Sequence, residues 1–294
     1  MSIAIIINPI SGGATPDEAR ARAELASAVV DMHGDPAEVF LTERRGHARE
    51  LAKAAVQRGV RLVMAWGGDG TMNEVACALA FQEVPLGLVP AGSGNGLARE
   101  LGISQHAKRA IAEALAAEPR PLDLGEIDDH LFVNLAGIGF DAYVASEFDA
   151  PSNRRRGFGT YVGIAARALV GYVPERYAIT TADGRTESRA ILVTVANSAQ
   201  FGNGARIAPG ARVDDGLLDL VVVEERSRLR TLLNVRRLFA GTIDRMPGCT
   251  IRRIDRATIE SDRPMVYHVD GEPIAGGTRL RVRVHPGALR VAVK

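Results

Sequence analysis

At 294 residues the chain exceeds one comfortable core, so two domains are expected, with one large α/β domain as the alternative. Hydrophobic residues at 46% and charged residues at 24% are ordinary for a folded chain and exclude disorder along any long stretch. Thirty-six Lys and Arg against 35 Asp and Glu leave a formal charge of +1, which excludes a global field for nucleic acid or an anionic membrane and leaves any steering local. Cys77 and Cys249 lie far apart with no CxxC or Cys/His spacing, and the 6 histidines show no ligand spacing either, which reads as reduced thiols in a cytosolic protein.

In chain order, residues 1–7 lack a basic leader, and the short apolar run 3–7, closed by Asn8-Pro9, reads as a first strand and not a signal peptide. Helical spacing follows over 16–33, a strand over 37–41, a helix over 46–58, a strand over 60–66, and a helix over 71–81. A strand over 85–89 and helical stretches over 96–101 and 105–117 complete a βαβαβαβα pattern, closed by Pro119 and Pro121. That alternation predicts an α/β domain on a mostly parallel sheet.

Past residue 122 the texture turns to strand-like runs, at 190–196, 217–223, 250–254, 265–269 and 280–284, with Gly, Asp and Pro turns between them. Antiparallel, β-rich packing is the natural reading, interrupted by helical stretches at 161–169 and 227–240. The boundary is placed near Asp123, giving domains 1–123 and 124–285, with 286–294 returning to the first. The best apolar stretch, 162–170, is broken by Arg167 and falls short of the about 20 residues a spanning helix needs, so no transmembrane segment is expected.

Chemistry concentrates in glycine loops. Gly67-Gly68-Asp69-Gly70-Thr71-Met72-Asn73-Glu74 sits between a strand and a helix, where glycines let backbone N–H groups approach an anion and the helix N-terminus favours negative charge. It lacks the Gly-Lys-Ser/Thr ending of a Walker A loop. The plain alternative is a tight turn with Thr71 as N-cap. A second loop, Gly92-Ser93-Gly94-Asn95-Gly96, follows the next strand, and Asn8-Pro9-Ile10-Ser11-Gly12-Gly13 follows the first, so all three face the end of the sheet where open α/β folds place ligands. Asp214-Asp215-Gly216 and Asp270-Gly271-Glu272 read, on their own, as turns, the latter as a hairpin tip between the runs at 265–269 and 280–284.

Taken together and in this order, Asn8-Pro9 with Gly12-Gly13, the Gly67–Glu74 segment, Pro90-Ala91-Gly92-Ser93-Gly94-Asn95 and Asp270-Gly271-Glu272 resemble the diacylglycerol kinase catalytic-domain family, which includes bacterial lipid kinases and sphingosine kinases. The resemblance implies an α/β nucleotide domain and a β-rich, sandwich-like domain enclosing a cleft, with ATP and Mg²⁺ consumed to phosphorylate a lipid alcohol. It implies that Asn8, Thr42, Gly67, Gly68, Asp69, Gly70, Thr71, Met72, Asn73, Gly92, Ser93, Gly94 and Asn95 surround the ATP, Asp69 facing metal and phosphate. It further implies a magnesium site from the Asp215 carboxylate with the Arg212 and Leu217 carbonyls, an all-oxygen set suited to a hard ion. Glu272 is implied as proton acceptor from the attacking hydroxyl with Asp270 as partner, the two roles being exchangeable.

Gly96 stands where many bacterial members carry an acidic residue, a version closer to the sphingosine kinases, which leaves the identity of the lipid open. The basic residues Arg154, Arg155, Arg156, Arg226, Arg228, Arg230, Arg236 and Arg237 are either solvated faces or contacts to anionic headgroups during a transient, peripheral visit to the inner membrane face. The run 157–169, with Phe158, Tyr161, Val162 and Ile164, lines an acyl pocket or fills core. Two other readings compete: a kinase of a soluble substrate, since NAD kinases share a Gly-Gly-Asp-Gly segment, and a nucleotide-sensing module without catalysis.

Overall fold

The computed structural model describes residues 2–149, 163–165, 167–168, 171–201, 204–226 and 234–293. Two units emerge, Met1–Leu122 with Gly287–Lys294, and Asp123–Pro286.

In the first unit, strands β1 (Ile3–Ile7), β2 (Ala37–Leu41), β3 (Leu62–Gly67) and β4 (Leu86–Pro90) are all parallel, in the spatial order β2-β1-β3-β4. Helices α1 (Pro16–Asp31), α2 (His47–Gln57), α3 (Asp69–Leu79), α4 (Gly96–Glu100) and α5 (Ala107–Ala116) alternate with them. Every residue of β1, β3 and β4 is buried, which is why these strands read as unbroken apolar runs. Ile3, Ile5, Ile7, Met64, Trp66 and Val89 pack with Val29, Val30 and Ile111 of the helices. Local chemistry starts α1: Thr15 and Glu18 form a reciprocal capping box, and Pro16 stands at the first helical position.

The second unit is built largely of antiparallel strands. Its strands are β5 (Pro119–Ile127, entering from the first unit), β6 (His130–Phe132), β7 (Leu135–Gly139), β8 (Glu175–Thr181), β9 (Gly184–Ala196) and β10 (Leu218–Glu224). They continue with β11 (Cys249–Ile254), β12 (Arg256–Ser261), β13 (Val266–Val269), β14 (Glu272–Ala275) and β15 (Arg279–Ala292). Helix α6 (Phe140–Asp149) follows β7, and α7 (Arg236–Ala240) precedes β11. β9 serves as the hub, pairing with β8 along its first half and with β7 and β10 along its second. Phe132, Ile138, Tyr177, Val193, Val195, Leu220, Ile259 and Tyr267 form the core.

Three expectations need correction. The run 280–284 is the start of a longer strand whose end, past Gly287, returns to the first unit and pairs Val291 with Leu86 of β4. The hairpin partner of β13 is β14, not that strand, with Val269 opposite Glu272. Helix α3 begins at Asp69 with Gly68 as its cap residue, so Thr71 lies inside the first turn and is not the N-cap. The expected helix at 161–169 and Phe158, Tyr161 and Val162 lie largely outside the described residues, as do Arg154, Arg155, Arg156, Arg228 and Arg230.

Candidate active site

In the first unit β2 lies on one side of β1 and β3 on the other, so the chain reverses direction across the sheet at the β1/β3 pair. At such a switch point the crossover connections part and leave a crevice at the strands' carboxyl ends. The loops after β1, β3 and β4 converge there, since Ile7 is in register with Trp66 and Gly67 with Pro90. Their backbones approach closely enough to demand glycine. A Cβ on Gly92 would lie 2.7 Å from the Gly68 Cα, and one on Gly12 would lie 2.5 Å from the Ala91 carbonyl oxygen.

Side chains then stitch the loops together. Asn8 Nδ2 donates to Thr71 Oγ1 (3.1 Å), joining the first loop to the second. Asp69 joins the second to the third, its Oδ2 accepting from the Asn95 N–H (2.9 Å) and its Oδ1 from the Gly96 N–H (2.6 Å). Asn95 is buried with φ of 50°, a left-handed conformation that Asn tolerates and most side chains do not. Its Oδ1 accepts from the Gly92 N–H (2.9 Å), and its Nδ2 donates to the Gly92 carbonyl (2.8 Å) and to Gln105 Oε1 (2.9 Å).

Of the other residues expected near ATP, Gly70 and Ser93 are exposed, and the Gly94 carbonyl accepts from Arg99 Nε (2.9 Å). Thr42, half-buried just past β2, donates its N–H to the Ile7 carbonyl (2.9 Å). Met72 is a core side chain at 2% exposure, and Asn73 Oδ1 lies 3.6 Å from Cys77 Sγ. The sequence places Glu74 at the end of the second-loop motif but gives it no role; its two oxygens accept from the Gly46 N–H (2.8 Å) and the Ala48 N–H (3.0 Å). It caps α2 from outside and so fixes the segment that follows Thr42; the available signal was that α2 opens on glycine with no capping side chain of its own.

In the second unit Asp270 and Gly271 both have positive φ, 48° and 91°, as a two-residue hairpin turn with matching twist requires. Asp270 Oδ2 accepts from the Val133 N–H (2.8 Å) and its Oδ1 from the N–H groups of Asn134 and Leu135 (2.9 Å each). The Asp270 N–H in turn donates to the Leu135 carbonyl (2.9 Å). Glu272, the first residue of β14, is exposed. One acid of the turn is therefore an anchor, and the other sits on an exposed residue.

The turn at 212–217 is arranged differently. Asp215 pairs through Oδ2 with the Arg253 guanidinium and accepts through Oδ1 from the Leu217 N–H (3.1 Å). Asp123 Oδ2 accepts from the Gly216 N–H (2.6 Å), and the Arg212 side chain turns to Asp214 (3.2 Å). The donors are hard oxygens of the kind Mg²⁺ prefers, yet an ion at Asp215 competes with a guanidinium for the same carboxylate. Among the described residues no group of three or more His, Cys, Asp or Glu gathers closely enough to hold a metal. Burial pushes the Asp219 carboxyl, on the strand leaving this turn, up to about 6, and pushes the Cys249 thiol up to about 11, which removes it as a nucleophile near neutral pH.

No described helix is long and apolar enough to cross a membrane. Residues 2–127 match the family profile described as the diacylglycerol kinase catalytic domain, and residues 134–293 match the YegS C-terminal NAD kinase beta sandwich-like domain. Among curated proteins, the "Probable lipid kinase YegS-like" of Chromohalobacter salexigens is 32% identical over 86% of this chain and 83% of its own length. The protein of the same description from Pseudomonas fluorescens is 32% identical over 94% of this chain and 90% of its own. A solved structure described as a diacylglycerol kinase from Bacillus anthracis str. Sterne shares the fold at a TM-score of 0.76 and 20% identity, covering 100% of this chain and 97% of that one. By profile, by curated relatives and by a two-part architecture that fits both, the chain belongs to the diacylglycerol kinase catalytic-domain family, in its YegS-like form, and is a kinase.

Proposed function

We propose that this kinase transfers the γ-phosphate of ATP to the hydroxyl of a lipid alcohol, diacylglycerol or a close relative, with Glu272 as the base. The observation that carries this reading is the asymmetry of the Asp270-Gly271-Glu272 turn. Three backbone amides hold Asp270, so it fixes the turn, while the exposed Glu272 is the carboxylate with access to an incoming hydroxyl. The interlocked loops at 8–13, 67–71 and 91–96 meet at the N-terminus of α3, the end that favours a triphosphate, and Asp69 takes the Asn95 and Gly96 amides to hold the second and third loops in register. Phosphoryl transfer asks little more of a protein than positioning and charge, and each unit supplies one part of it. Mg²⁺, when bound with the nucleotide, would supply positive charge to its phosphates, while the Asp215 carboxylate stays paired with Arg253. Access to the lipid is by a transient visit to a membrane surface, and the names of the relatives support the lipid as acceptor class.

Incubation with γ-labelled ATP, Mg²⁺ and a panel of diacylglycerol, sphingoid base, phosphatidylglycerol and NAD tests the reading. Label is expected in a lipid. Label in NAD alone, or bound nucleotide with no transfer to any acceptor, overturns it in favour of the soluble-substrate or sensing alternatives.

A further inference from the structure

Behind the acidic turn the second unit carries a buried polar row that the proposed chemistry does not use. His268 of β13 stands in register with Gly137 of β7, and Gly137 with Thr194 of β9, so the three share one face of the sheet. Asp141, in the first turn of α6, reaches into the space that Gly137 leaves: a Cβ at that position would overlap Asp141 Oδ2 and lie 2.6 Å from His268 Nε2. Exposure is 2% for His268, 4% for Asp141 and 0% for Thr194. Thr194 Oγ1 donates to Asp141 Oδ2 (3.0 Å), the Ala142 N–H donates to Asp141 Oδ1 (2.9 Å), and His268 Nε2 lies 3.5 Å from Asp141 Oδ2. The far side of the imidazole meets the turn itself, where the Gly271 N–H donates to His268 Nδ1 (3.2 Å).

This geometry fixes the tautomer. A backbone N–H only donates, so Nδ1 is the accepting nitrogen and Nε2 carries the hydrogen; Nε2 is buried 3.5 Å from Asp141 Oδ2 and makes no hydrogen bond among the described residues, so the carboxylate acts on it through charge alone. A buried acid–imidazole pair is a poor choice for stability alone, because apolar residues of the same volume avoid the desolvation of both groups. What the pair does here is hold a turn from behind, while Asp270 holds it through residues 133–135.

We propose that His268 is a positioning residue for phosphoryl transfer: its Nδ1 latches the Gly271 amide and so sets the direction in which Glu272 leaves the turn, while the nearby Asp141 carboxylate favours, by charge, the tautomer with its hydrogen on Nε2 that the latch needs. The role rests on the reading of Glu272 as the base. Two substitutions separate the latch from mere filling of space. His268→Asn places an amide oxygen near where Nδ1 stands, whereas His268→Gln places its amide near Nε2 and leaves Gly271 without an acceptor. In the full chain, His268→Gln should lower kcat about a hundredfold with KM for ATP unchanged, since a misplacement on the order of 1 Å has that effect on transfer. His268→Asn should restore most of that loss. Hydrogen exchange at the Gly271 amide, read by NMR, should be slow in wild type and His268→Asn and fast in His268→Gln. If His268→Gln does not fold, Asp141→Leu, which removes the carboxylate beside Nε2 at similar volume, carries the same two readouts and the same expectation. Wild-type kcat in the folded glutamine or Asp141 variant, or equal Gly271 exchange in that variant and wild type, overturns the proposal. Should the wild type transfer no phosphate to any alcohol, the kinase reading falls instead, and Gly271 exchange still decides the latch.

Discussion

In the turn at 214–216 the Asp215 carboxylate faces the Arg253 guanidinium, whereas in the turn at 270–272 Glu272 stands exposed beside an Asp270 held by three backbone amides. Both segments are acidic, contain glycine and belong to the same unit. The difference lies in what each carboxylate touches. In the first turn Asp215 is tied to a cation and Asp123 reaches in to hold the Gly216 N–H, so its acids build the turn. In the second, anchoring and exposure are divided between two residues, and the proposed base assignment rests on that division.

The comparison breaks most readily at its anchor. Asp270→Asn places an amide donor against backbone donors at residues 133–135, so stability should fall by about 1–3 kcal/mol and transfer by about a hundredfold. Urea unfolding and steady-state kinetics measure the two; a variant of unchanged stability and rate would show that the turn holds itself.

Next in size is a pH effect beside the first turn. Burial raises the Asp219 carboxyl in the folded chain from its ordinary 3.8 to about 6, so the folded state binds the proton more tightly than the unfolded state. That contribution to stability is fully present below the unfolded value and is lost as pH rises through 6, a change of about 2 kcal/mol. Chemical unfolding from pH 4 to 7 should show the loss in wild type and a flatter profile in Asp219→Asn. The opposite slope would mean that Arg253, opposite Asp219 in register, neutralises it and not Asp215.

The smallest effect sharpens the cation question. Arg253 and Asp215 are partly exposed, so Arg253→Met should cost at most about 1 kcal/mol. Removing the guanidinium frees the carboxylate, so Mg²⁺ should raise the Tm of that variant and leave the wild type unmoved. A Mg²⁺-dependent rise in wild type, abolished by chelator, would restore the ion to Asp215.

Much of this architecture is legible in the letters because burial on both faces writes strands as apolar runs. Residues 3–7 and 37–41 match β1 and β2 at both ends, and the alternation of periods identifies the α/β unit. Helix α3 starts earlier than its spacing suggests because Gly70, normally a helix breaker, lies in its first turn. Helix α6 escapes notice because it follows Gly139 of β7 directly, with no polar capping residue between. β14 is missed because four residues opening on Glu-Pro carry no strand pattern, although the Asp-Gly turn before it is plain. What no local reading reaches is which acid is anchored. Asp270 binds amides about 136 positions away, and Asp69 clasps a loop 26 positions on, so both roles exist only after folding.

Glu272→Ala gives the most direct test of the central claim, with ATP affinity by calorimetry and phosphoryl transfer to lipid followed in parallel on the same preparation. ATP should bind as in wild type while transfer falls by about 10²–10⁴-fold, the range for loss of a general base. Transfer at the wild-type rate in that variant would contradict the assignment of the exposed carboxylate.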